Sequence, residues 1–166
     1  MDTCIGYLFR YNQAANLRLV QALDALGPAE LDKDRGSYYK SLHGLFNHIV
    51  GGELFGLKNL RKALPENPAF RIPALDVEMK PGAAPFPNYE DGKKALAALD
   101  AAFVSLASSL GPDELKVTAE VHGAIQSVSS LLSSGIAHAA HHRGQVAQIL
   151  DEMGIENDFF MAIKDC

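Results

Sequence analysis

The chain has 166 residues, 48% of them apolar, which is enough for one domain around a single core. Its formal charge is −5, from 15 basic and 20 acidic residues. The basic residues are scattered, with Lys93-Lys94 the nearest thing to a cluster, so nucleic-acid binding, which wants a basic face, is disfavoured. No run of about 18 apolar residues occurs, which argues against a transmembrane helix.

The N-terminus, Met1-Asp2-Thr3-Cys4, lacks the basic and then apolar layout of a signal peptide. A cytoplasmic location is the expectation, and Cys4 and Cys166 are expected to be free thiols.

Four long helices are predicted in chain order. The first runs from about Thr3 to Leu26 and stops at Gly27-Pro28, with Leu8, Ala15, Leu19, Ala22 and Leu26 as its apolar stripe. The second runs from about Tyr38 to Leu64, with Leu42, Leu45, Phe46, Ile49, Leu60 and Leu64 facing inward. Residues 65–87 contain Pro65, Pro68, Pro73, Pro81, Pro85 and Pro87, which makes an irregular crossover, either an ordered cover or a mobile lid. The third helix starts near Asn88, a good N-cap followed by Glu90 and Asp91, and ends at Gly111-Pro112. Residues 115–127 read as a short extended pair or an irregular link. The fourth helix runs from about Ser129 to Met153 and stops at Gly154, and Asn157 to Lys164 adds a last turn or two. The expected fold is all-α: one domain over residues 1–166, a four-helix bundle with a long Pro-rich crossover between helices two and three.

The chemistry concentrates in His138-Ala139-Ala140-His141-His142-Arg143-Gly144-Gln145, which holds three of the six histidines. At about 100° per residue, positions i and i+4 share one helix face, so His138 and His142 can reach one metal ion. His142 lies within the stripe of Val128, Leu131, Leu132, Ala139, Val146, Ile149, Leu150 and Met153; His138 lies at its edge, and His141 points to the polar side. Gln145 falls on the same flank as His142, placed to hydrogen-bond a ligand or an imidazole. Gly144 would let another backbone approach.

A third ligand must come from elsewhere. Helix two offers His43 and His48, on diverging flanks; His48 shares a covered flank with Gly52 and Phe55. Gly51-Gly52 would permit close approach of a neighbouring helix. Glu53 falls inside the apolar stripe, where a carboxylate needs a partner, either Arg143 or the metal. His43, His122, Tyr7 and Tyr11 read as ordinary packing or surface residues.

Three segments together resemble the DinB/YfiT superfamily: Tyr11-Asn12-Gln13-Ala14-Ala15-Asn16, the stretch Ser41 to Val50 with its Asn47-His48-Ile49 triplet, and the His138 to Gln145 motif, His-x-x-x-His-Arg-Gly-Gln. The resemblance implies an up-down-down-up bundle, often a homodimer, and a three-histidine metal site formed by His48, His138 and His142. Three imidazoles leave one coordination position, and by ligand type zinc, nickel, copper or iron suit it, with zinc or nickel the first expectation. By the same resemblance, the leading activity is metal-assisted activation of a low-molecular-weight thiol for S-transfer or isomerisation of a small-molecule substrate. The alternatives are a metal-dependent hydrolase, with Glu53 as the candidate base and Gln145 as an orienting group, or a non-enzymatic stress-response protein with a structural metal.

Overall fold

A computed structural model describes residues 3–80 and 82–166 of the protein. It is mainly helical: α1 (Cys4–Asp24), α2 (Pro28–Asp32), α3 (Leu42–Ala63), α4 (Tyr89–Ser109) and α5 (Val128–Glu152), with one hairpin, β1 (Thr118–Val121) and β2 (Ala124–Ser127). The four long helices share one apolar core. Helix α3 packs on α5 and α4, and α1 packs on α4 and α5.

Local chemistry explains where the helices begin. Thr3, Ser41, Asn88 and Ser127 each sit in extended backbone and accept an N–H of the first turn, from Gly6, Gly44, Asp91 and Ser130 respectively. A cap of this kind stabilises a helix by about 1 kcal/mol. Helix α5 ends where Gly154 takes a φ of +71°, the left-handed conformation that glycine adopts without strain.

Several expectations change. The second long helix starts at Leu42, not near Tyr38. Residues Ser37 and Lys40 form an isolated bridge, and Lys40 takes a φ of +68°, so this stretch is a turn. Gly27-Pro28 does not simply end the first helix; Pro28 opens the short α2 as its first helical residue. The buried stripe of α1 is Phe9, Asn12, Ala15, Asn16, Leu19 and Leu23, whereas Leu8, Ala22 and Leu26 are half-buried. The all-α expectation omits the hairpin, the extended-pair alternative for residues 115–127. His122 and Gly123 both have positive φ at its two-residue turn, as a type I′ turn requires.

The connection from α3 to α4 contains two 3-10 turns, Pro68–Phe70 and Pro73–Asp76. It buries Phe70, Leu75 and Phe86 in the common core, and Lys58 Nζ donates to the Val77 carbonyl at 2.6 Å. Those contacts anchor the connection to the core. Pro81, one of the six prolines, lies outside the described residues. Cys4 and Cys166 are exposed free thiols. Among the described residues no helix is long and apolar enough to cross a membrane.

Candidate metal centre

The pairing of α3 with α5 sets His48 against His138 and His142. One ligand atom from each of the three lies within 4.8 Å of the others. His138 Nε2 is 3.0 Å from His48 Nε2, and the His48 ring packs edge-on against His142, with centroids 4.3 Å apart. Gly52, one turn beyond His48, makes the approach possible. A Cβ there would fall on the His138 ring, 2.5 Å from Nδ1. At Gly52 the expected close approach therefore admits a side chain of α5, while Gly51 meets only Pro85 at ordinary contact and Gly144 meets nothing and serves no such contact.

All three imidazoles are held in the neutral form that metal ligation needs. Burial lowers the His138 pKa to about 4, helped by the neighbouring charges of His142, His48 and His141. Burial likewise lowers His48 and His142. Gln145 Oε1 lies 2.7 Å from His142 Nδ1. A carbonyl oxygen only accepts, so Nδ1 carries the proton and Nε2 keeps its lone pair. His141 is exposed beside His142 and is not one of the converging ligands.

Tyr39 completes the cluster and was not legible as a site residue. Its hydroxyl lies 2.9 Å from His48 Nε2, and its ring stacks on His48 at 4.2 Å. The turn at Ser37–Lys40 aims it there, and a Cβ on Gly44 would collide with the Tyr39 carbonyl. His48 Nε2 thus faces both the phenol and another imidazole nitrogen, while it has one lone pair to share. A cation at this point satisfies the converging nitrogens together, so the donor set fits a metal ion.

Glu53 is fully buried but belongs to a different group. Asn12 Nδ2 and Asn16 Nδ2 donate to Glu53 Oε1 at 3.0 and 2.7 Å, and Asn16 Nδ2 also donates to Asp100 at 2.9 Å. On their other sides, Asn12 Oδ1 and Asn16 Oδ1 accept from Arg143 Nη1 at 2.7 and 2.6 Å. Two asparagines therefore bridge the guanidinium to the carboxyl groups. Asp100 is in hydrogen-bonding contact with Glu53, and no N–H among the described residues donates to Glu53 Oε2. Burial raises the pKa of both carboxyl groups, and burial together with the charge of Glu53 drives Asp100 well above its ordinary value. Asp100 thus keeps its proton and donates it to Glu53, leaving Glu53 and Arg143 as one balanced charge pair. The signal for Asn12, Asn16 and Asp100 was present in the sequence: polar residues at helical spacing within apolar stripes.

His48 and His138 line one side of a cavity of about 780 Å³. The flank that His48 shares with Gly52 and Phe55, expected to be covered, opens onto this space. His122, expected to be ordinary, stacks on Phe55 with centroids 5.1 Å apart and forms part of the wall. His43 sits apart from the cluster, 2.8 Å from Asp32.

The DinB family model matches residues 1–162. The chain belongs to the DinB family. No curated protein and no solved structure matches this DinB-family chain. His48, His138 and His142 sit close enough together that they could hold a metal ion.

Proposed function

We propose that His48, His138 and His142 hold a divalent metal ion, zinc or nickel, and that the protein uses it to activate a low-molecular-weight thiol for S-transfer or isomerisation of a small electrophile. The observation that carries this reading is the convergence of three neutral imidazoles, two of which, His48 and His138, line a cavity. Such an ion supplies Lewis acidity and lowers the pKa of the thiol or water that it binds. The chain supplies the rest. Gln145 fixes the His142 tautomer, and Gly52 seats His138 against α3. Were His48 Nε2 to hold a cation, the Tyr39 O–H, 2.9 Å from that nitrogen, would be free to donate to a bound small molecule.

Thiol chemistry is favoured over hydrolysis because a hydrolase wants a general base at the reacting centre. Glu53, the candidate base, is engaged by Asn12, Asn16 and Asp100. A structural metal usually takes four protein ligands. Three histidines beside a cavity favour the open site. The single domain over residues 1–166, its up-down-down-up bundle course, a homodimer, a cytoplasmic setting and a role in stress response belong to the same proposal.

The test is thiol binding to full-length zinc-loaded protein by calorimetry in buffers of different ionisation enthalpy. Benzyl mercaptan should bind with release of about one proton at neutral pH, and binding should vanish in His142→Ala. Zinc-loaded protein that binds no thiol would contradict the reading.

A further inference from the structure

The buried polar group around Arg143 sits one residue from the histidine site on both helices that carry it. Arg143 follows His142 on α5, and Glu53 follows Gly52, the residue that seats His138, on α3. The hydrogen bonds that link them run through Asn12 and Asn16, one turn apart on α1. Asp100 adds α4, through Asn16. All four long helices therefore meet at one hydrogen-bonded point. A buried network of this kind adds little stability over apolar packing of the same volume, and its best-attested use is to fix register. Apolar packing is thin where the ligands sit. Between Leu132 and Val146, the apolar side chain that α5 buries is Ala139, and Ile136 is half-buried. Alanine makes a shallow knob, and the hydrophobic effect has no direction. A rotation of α5 by about 10° would move a side-chain tip at a radius of about 5–6 Å by about 1 Å. That is several times the tolerance of about 0.2 Å on a metal–ligand distance. The same displacement at Arg143 would break bonds of 2.7 and 2.6 Å.

We propose that Asn12, Asn16, Glu53 and Arg143 are positioning residues for the histidine site: their relay through α1 fixes the rotation of α5 against α3, and so holds His138 and His142 beside His48. The proposal rests on the metal reading for its effect on metal affinity. The positioning itself needs no metal.

Three variants of the full-length protein test it. Arg143→Met cuts the relay at α5. Asn12→Ala is a milder cut, which leaves Asn16 to join Arg143 to Glu53. Leu106→Ala controls for lost stability: Leu106 is fully buried near the far end of α4, where Asn67, beyond the end of α3, meets Ser109. In metal-free protein, proton NOEs between imidazole rings report the site, the centroids being 4.3 Å apart for His48–His142 and 4.9 Å for His48–His138. These NOEs should be lost in Arg143→Met, weakened in Asn12→Ala and kept in Leu106→Ala. Titration with cobalt(II), followed by its visible absorption, reads affinity and ligand geometry together. Affinity should fall about 10–100-fold in Arg143→Met and about three- to tenfold, the value of one hydrogen bond, in Asn12→Ala. The cobalt spectrum should change in both, while Leu106→Ala keeps the wild-type affinity and spectrum. A merely structural role would lower the stability of all three variants and leave the ring contacts and the spectrum as they are. Wild-type NOEs in Arg143→Met would overturn the proposal, as would their equal loss in Leu106→Ala. If Arg143→Met does not fold, wild-type NOEs and affinity in Asn12→Ala overturn it instead. Failure of the metal reading looks different: wild type would bind no cobalt while the NOEs changed as stated, and the positioning would stand without the metal.

Discussion

Replacing Gly52 with alanine separates the metal site from the fold that carries it. The new Cβ would lie 2.5 Å from His138 Nδ1, whereas ordinary contact begins near 3.4 Å. The imidazole must therefore retreat by roughly 1 Å, several times the tolerance of about 0.2 Å on a metal–ligand distance. One of three ligands is lost. Apparent zinc affinities of about 10–16 kcal/mol over four ligands correspond to about 3 kcal/mol each, so affinity should fall about 100-fold or more. The fold should not suffer, because the atom displaced is the free end of a side chain. Alanine is the better helix former by about 1 kcal/mol, which raises Tm by about 2–4 °C in a chain of this size. Competition with a chromophoric chelator reads the affinity, and thermal unfolding of the metal-free protein reads the stability. Wild-type zinc affinity in Gly52→Ala would refute the reasoning, and so would a large fall in Tm.

Four further outcomes follow from the same geometry. Gln145→Leu removes the acceptor that fixes the His142 tautomer and should weaken zinc binding about 10–100-fold by the same competition assay. Glu53→Gln removes one of the two carboxyl groups facing Arg143, leaving Asp100 to supply the counter-charge by giving up its proton, and should cost about 1–3 kcal/mol in urea unfolding. Asp100→Asn keeps a donor toward Glu53 and an acceptor for Asn16, so it should cost less than about 1 kcal/mol; a larger loss for Asp100→Asn would reverse the proton assignment. In metal-free protein the folded His138 pKa is about 4, against about 6.5 in the unfolded chain. The unfolded chain therefore binds more protons between those values, and His138 contributes stability that is fully present above pH 6.5 and lost as pH falls to 4. Denaturant midpoints for wild type and His138→Gln should converge across that window, and parallel pH profiles would count against it.

Much of this was legible in the sequence, for physical reasons that differ by element. The stripe of α3 and the inward pair on α5 were readable because apolar residues at helical spacing fix which side chains share a face. The caps at Asn88 and Gly154 were readable because each residue type answers a specific backbone need. Tyr39 was not, since its role depends on a turn with a positive φ at Lys40, a residue type that gives no such signal. Glu53 was recognised as a buried carboxylate in need of a partner. Its true partners come from three other helices, and only tertiary packing brings Asn12, Asn16, Asp100 and Arg143 to one point. The cavity wall at His122 was hidden for the same reason: a hairpin turn carries that ring to Phe55 from a distant part of the chain.

The central claim is that these three histidines hold one metal ion. Its most direct test is metal content after reconstitution and dialysis of full-length, tag-free protein, with His48→Ala, His138→Ala, His142→Ala and His141→Ala alongside wild type. The account predicts about one metal per chain in wild type and in His141→Ala, and loss in each of the other three variants. No uptake by wild type, or uptake that survives all three substitutions, would contradict it.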